Sequence, residues 1–464
     1  MMRLQDQRLP TYLFRLALVG GLLVADLALG YVAVRVAPSL FALAIFAPFA
    51  ALLMLARAEY GVLALLFTAA FVRASLPTGT QSRIVASLLL TAALTAAWIL
   101  RMAWVDRRLH LKPARFNAPL LGIIAVSFVS YLWSNVFRDP LVVVWRTWPV
   151  VQLGALGVMV LLPCASLLVA NGVSDPRWLR WMWGLMVAIG AAKLVVNLTH
   201  LPIRFINTGG LFSLWLVALV YARLLFDRAL RPLSRALLIL LLGLWLYQKL
   251  VVEVYWLSGW VPPLLAMVVI TFLRSKKACV ALLAIIALYV LFNWGYYGGT
   301  VFSHESAESG VTRLAAWAQN WRVTGQHLLF GTGPAGYAAY YMTYFPTRAM
   351  ATHSNYIDIL SQLGIVGLGF YVWFLVAQGR TGLDLWGRVR GRQDWVEGLA
   401  AGMLGGLVGL VAAMGLGDWL IPFVYTQTIA GFDYALYGWM WLGAMTSLAH
   451  YSFQNNPSLS LTTP

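Results

Sequence analysis

The chain has 464 residues, 61% of them hydrophobic and only 11% charged, with a formal net charge of +17 at pH 7. A mean hydropathy of +0.77, with apolar runs of roughly 20 residues recurring throughout, excludes a soluble globular domain and matches what a hydrocarbon core demands of a helix. The positive charge is scattered over short basic segments that attract anionic lipid headgroups, and no polar basic domain exists to carry a nucleic-acid duplex, so no nucleic-acid partner is expected.

In chain order, the apolar runs predict spans at 11–34, 38–56, 60–75, 84–104, 118–136, 147–171, 178–198, 208–227, 232–252, 256–273, 278–296, 354–378, 396–416 and 430–450. The expected fold is therefore all-α: a polytopic integral membrane protein of about 12–14 transmembrane helices with one large extramembrane loop. The organisation follows as N-terminal transmembrane helices over 1–295, a large loop over 296–355, C-terminal transmembrane helices over 356–450 and a polar tail, expected to be disordered, over 451–464. Arg3 and Arg8 precede a first apolar run long enough to span, with no small-residue cleavage site after it, so no cleaved leader is expected. Cys164 and Cys279 read as small buried apolar residues.

Charge asymmetry sets the orientation. With both termini cytoplasmic, most of the 33 basic residues fall inside, including Arg101, Arg107, Arg108, Lys112 and Arg115 in one segment and Arg380, Arg388, Arg390 and Arg392 in another. That bias places the 296–355 loop outside.

This loop is the one long polar interruption of the chain, and connections of its length are rarely mere connectors. Arg313 begins a run in which Leu314, Trp317 and Trp321 recur at helical spacing, predicting an amphipathic helix along the outer interface that holds Arg313 at headgroup level. A guanidinium there suits bidentate binding of phosphate oxygens. Gly331, Gly333 and Gly336 spell G-x-G-x-x-G, but a dinucleotide site needs a preceding strand and a βαβ setting. Here the glycines are expected to turn the chain sharply back towards the membrane. His353 opens the apolar segment predicted at 354–378; in a first helical turn, the positive helix terminus would keep its imidazole neutral, as a general base requires. Asp358 lies five residues on, about 140° round a helix, and is not expected to orient His353 directly.

The succession Arg313, Trp317, His327-Leu-Leu-Phe-Gly-Thr-Gly-Pro334 and His353-Ser-Asn-Tyr-Ile-Asp-Ile-Leu-Ser-Gln-Leu-Gly-Ile-Val-Gly367 resembles the core of the O-antigen ligase and O-antigen polymerase superfamily. His327 and Leu328, Ser354 and Gln362 depart from the usual family residues. The resemblance implies a metal-independent glycosyltransferase of the bacterial inner membrane, active on its periplasmic face in lipopolysaccharide or polysaccharide biosynthesis. Such enzymes move a glycan from an undecaprenyl-diphosphate carrier to a hydroxyl of lipid A core or of a growing glycan. By that likeness His353 would activate the acceptor hydroxyl and Arg313 would bind the donor diphosphate. Arg204, Arg146, Lys249, Arg322, Arg348 and His327 are further candidates for substrate contact. Arginines can neutralise a leaving diphosphate without a cation, and the outer acids Asp139, Glu253, Glu305, Glu308, Asp418 and Asp433 show no ligand spacing, so neither metal nor cofactor is expected. Two alternatives stand beside this one: a transporter or flippase of lipid-linked oligosaccharides, and a protein O-oligosaccharyltransferase of the same superfamily.

Overall fold

The computed structural model describes residues 57–77, 83–203, 205–254, 256–297, 311–345, 352–422 and 429–454. The two predicted spans before residue 57 therefore lie outside the described residues, as do Arg204 and Arg348.

Helix follows helix: α1 (Ala58–Phe71), α2 (Ala86–Leu100, continued by a π-helical turn over Arg101–Val105), α3 (Asn117–Val136), α4 (Trp148–Gly172), α5 (Pro176–Thr199), α6 (Phe212–Phe226), α7 (Pro232–Tyr247, continued by a π-helical turn over Gln248–Val252), α8 (Leu257–Arg274) and α9 (Lys276–Phe292). After the polar region come α10 (Val311–Thr324), α11 (Gly336–Tyr344), α12 (Asn355–Val389), α13 (Trp395–Leu416) and α14 (Phe432–Gln454). Among the described residues, eight helices are long and apolar enough to cross a membrane: α2 to α5, α7, α8, α12 and α13, counting the π turns of α2 and α7. The molecule is an all-α, polytopic membrane protein. A short antiparallel hairpin, β1 (Ser75–Pro77) with β2 (Arg83–Val85), is a departure from the purely helical expectation.

The outward faces need lipid rather than water. On α9 Cys279 is buried, whereas Ile285, Leu291 and Phe292 are 63%, 67% and 84% exposed; apolar surface of that extent is tolerated in hydrocarbon and not in solution. Inside, α13 packs on α6 and α8 through a glycine-rich face. A Cβ at Gly406 would stand 2.4 Å from the Trp215 ring, and one at Gly409 2.7 Å from the Pro262 carbonyl. Small residues at such crossings replace the hydrophobic drive that lipid does not supply.

Successive crossings give the bundle two faces. On one, α3 ends and α4, α12 and α14 begin; on the other, Arg115 pairs with Asp384 at 2.5 Å, His450 bonds the Pro113 carbonyl at 2.8 Å and Arg228 N–H donates to the Gln393 carbonyl at 3.0 Å. α12 exceeds its predicted end at 378. Its 35 residues run about 1.5 Å each, more than the ~30 Å hydrocarbon thickness requires. α14 remains helical to Gln454, and the rest of the tail, residues 455–464, lies outside the described residues.

Candidate functional site

The glycine turn does re-enter. Backbone N–H groups of Thr332 and Gly333 donate to the carbonyls of Ser361 and Gln362 at 2.9 and 3.0 Å, and Ile365 N–H donates to the Leu328 carbonyl at 2.8 Å. These bonds exist because α12 is interrupted at Gly364, whose φ of 69° frees the carbonyls of the preceding turn. Ser130 Oγ of α3 lies 2.6 Å from the carbonyls of both Phe330 and Gln362, its one proton serving either, and Gln362 Oε1 accepts the Ala335 N–H at 2.8 Å. Non-helical backbone at membrane depth survives only where protein satisfies it in this way. Gln362 thus has a defined task at a position where the family resemblance calls for Glu, and either side chain offers the oxygen. The turn has helices on both sides and no preceding strand, in keeping with the rejection of a dinucleotide site.

The glycine turn and α12 meet too closely for side chains. A Cβ at Gly364 would lie 2.2 Å from the Leu329 carbonyl oxygen, and one at Gly331, φ 70°, 2.4 Å from the Gln362 carbonyl carbon. Gly364→Ala is expected to lower thermal stability and membrane yield sharply, since the left-handed conformation alone costs about 1–2 kcal/mol and the clash adds to it. Gly369→Ala, where a Cβ meets nothing within 4 Å, should be neutral or stabilising. Equal melting temperatures for the two variants in detergent would refute this packing.

His353 stands immediately before α12, not in its first turn as the sequence suggests. Ser354 is the N-cap, and His353 takes a left-handed φ of 49°, a strain of order 1–3 kcal/mol for a non-glycine residue that the surroundings must impose. Those surroundings are visible. The Thr352 carbonyl accepts the Trp317 indole N–H at 2.8 Å, and Thr352 Oγ1 donates to Asp358. On the other side Asn355, fully buried, accepts the Leu420 N–H and donates to the Ile421 carbonyl, both at 2.7 Å. With both neighbours pinned, His353 itself is exposed.

The Asn355 staple has a consequence that the sequence did not reveal. It holds the segment after α13 so that Asp418 meets Asp358, and Asp418 lies in the fields of both His353 and Arg313. Both carboxylates are 2% exposed. Asp418 Oδ1 and Asp358 Oδ2 find no donor among the described residues, so their contact is a hydrogen bond only when one carboxyl carries a proton. Burial pushes the Asp418 carboxyl above the ordinary carboxylate range, while Asp358, His353 and Arg313 draw it back down. Arg313 and His353, forty residues apart in the chain, thus both lie within electrostatic range of one buried acid. Asp418 was legible only as an acid near a span's end, and nothing in its spacing marked its partners.

The predicted amphipathic helix exists as α10, but its apolar stripe divides. Leu314 and Trp321 are exposed at 65% and 59%, whereas Trp317 turns inward to Thr352. Arg322 is exposed on the last turn of α10. Lys249 is buried in an i,i+4 pair with Glu253 and lies over the Trp256 ring at 4.8 Å, so its charge already has a partner. Trp256 in turn packs edge-on against Trp419 at 5.6 Å, beside Asp418.

His327 and Arg146 belong to a neighbouring group along the α3–α4 connection. His327 packs edge-on against Tyr340 at 5.0 Å, Tyr340 Oη accepts the Asp139 N–H at 3.0 Å, and Tyr344 donates to the Asp139 carboxylate. Burial lowers the His327 pKa while the nearby Asp139 charge opposes it. Arg146 is exposed in the same connection. Among the described residues no three His, Cys, Asp or Glu side chains gather as metal ligands. No protein-family model matches the chain, and no curated protein matches it.

Proposed function

We propose that the protein is a glycosyltransferase of the O-antigen ligase and polymerase kind, moving a glycan from an undecaprenyl-diphosphate carrier to an acceptor hydroxyl at the periplasmic face of the bacterial inner membrane. The observation that supports this reading is that the Trp317–Thr352 hydrogen bond lays α10, which carries Arg313, against the segment that carries His353, with buried Asp418 within electrostatic range of both. In this scheme His353 takes the proton of the acceptor hydroxyl as its oxygen bonds the anomeric carbon, and the carbon–oxygen bond to diphosphate breaks. Arg313 meets the charge developing on the leaving diphosphate. Asp418, once ionised, stabilises the resulting imidazolium through its charge and not through a hydrogen bond to the ring. Lipid A core, a growing polysaccharide and a protein hydroxyl all fit as acceptors.

Arg313 is tested by its chemistry. Arg313→Ala should weaken both donor binding and turnover, because the diphosphate is charged in the ground state and more so as it leaves. Arg313→Lys should rescue only in part, keeping the charge and losing the planar fork. Full rescue by lysine would mean that Arg313 supplies charge alone.

One observation favours a transport reading. Among the described helices, α12 has a left-handed residue in its interior, and broken helices line substrate sites in transporters, where they occur in matching halves. The pairing of Asp358 with Asp418 also sharpens the question of metal. Activity is expected to persist in excess chelator, with Arg313 neutralising the leaving group; loss in chelator and recovery with magnesium or manganese would reassign the two carboxylates as cation ligands.

A further inference from the structure

On the face opposite His353, a cavity of about 420 Å³ opens between the start of α1, the π turn of α2, the segment before α3 and the end of α4. That volume lies within the roughly 300–1,000 Å³ of small-molecule sites. Its wall holds charges of both signs: Arg57, Arg101 and Lys112 against Glu59 and Asp106. Among the described residues Arg57, Glu59, Arg101 and Asp106 take part in no ion pair, although they share one cavity.

The backbone arranges this. In an α-helix, residues five apart stand about 140° apart, so Arg101 and Asp106 would face different ways. The π turn over Arg101–Val105, closed by the Asp106 N–H donating to the Arg101 carbonyl at 3.0 Å, brings residues five apart over one another, and π turns of this kind recur at functional sites. Lys112 is fixed from the opposite wall: its N–H donates to Asn171 Oδ1 and its Nζ to Ser174 Oγ, both at 2.8 Å. Burial lowers the Lys112 pKa against the opposing pull of Glu59, a cost that a bound anion would relieve. The floor is apolar, with Ala97, Trp98, Met102 and Leu168. Beside it Ile99, Leu100, Trp104 and Val105 are exposed at 46%, 44%, 56% and 62%, a surface for acyl chains that a soluble ion has no use for.

We propose that this cavity binds the head of a zwitterionic aminophospholipid, its phosphate on Arg57, Arg101 and Lys112 and its ammonium on Glu59 and Asp106. A surplus of one cation keeps the phosphate as the dominant anchor. The acidic pair separates this head from a purely anionic one.

The test uses the full-length protein, delipidated in detergent, with lipid added back and bound lipid counted by native mass spectrometry. Phosphatidylethanolamine should be retained in preference to phosphatidylglycerol and phosphatidylcholine. Arg101→Gln should weaken retention of phosphatidylethanolamine by about tenfold or more, the scale of a lost charged hydrogen bond. Asp106→Asn should instead bring phosphatidylethanolamine down to the level of phosphatidylglycerol, a loss of selectivity that a merely destabilised protein would not show. Equal retention of the three lipids by the wild type, or the same lipid pattern in both variants and wild type, would overturn the proposal. Displacement of the lipid by equimolar soluble phosphoethanolamine would overturn it too, because the apolar floor would then contribute nothing.

Discussion

Replacing His353 with alanine is expected to cut glycan transfer by about 10² to 10⁴, the usual contribution of a positioned proton acceptor, while binding of the lipid-diphosphate donor survives. The separation of the two readouts matters. His353 is exposed and makes no packing contribution comparable to its buried neighbours Thr352 and Asn355, so its loss should not unfold the rim of the site. The strained φ of 49° gives a second expectation: alanine at 353 leaves the strain in place, whereas His353→Gly relieves it and should match or exceed the wild type in thermal stability while being equally inactive. Near-normal transfer by either variant at normal expression would return His353 to an interfacial role.

Asp418→Asn is expected to lower turnover by roughly 10²-fold, the scale of one lost electrostatic stabiliser, and yet not to lower stability. The sign follows from burial. A carboxyl whose folded pKa is raised contributes stability that is fully present below its unfolded pKa and is lost as pH rises through the folded value. Asparagine removes that loss and leaves an amide able to donate to Asp358. The difference in melting temperature, variant minus wild type, should therefore increase as pH rises from below the carboxylate range to neutrality. A variant that melts well below wild type at every pH would make Asp418 a structural residue.

How much of this was legible in the sequence depends on what each feature needs. Most described helices follow the apolar runs, because hydrocarbon thickness sets how long an apolar span must be, whereas α12 runs on past its apolar stretch to Val389. Arg313 and His353 were visible as polar residues in the one long polar loop, and the tight turn at Gly331 was visible as glycine. Asp418 was not, because its place depends on Asn355 reaching across to Leu420 and Ile421, a contact over 65 residues with no local pattern. Trp317 misled for a related reason: helical spacing groups it with Leu314 and Trp321, and only the Thr352 carbonyl draws it inward. The partner of Lys249 was legible, since Glu253 at i,i+4 is the spacing of a helical ion pair.

The central claim is that this membrane protein transfers a glycan instead of transporting one. The direct measurement is a mass balance with the purified full-length chain in sealed vesicles, given an undecaprenyl-diphosphate-linked glycan and an acceptor on the side that the His353 face occupies. The account predicts glycosylated acceptor and free undecaprenyl diphosphate released in equal amounts by the wild type, and neither by His353→Ala. Movement of intact lipid-linked glycan from one leaflet to the other, with no acceptor modified, would contradict it.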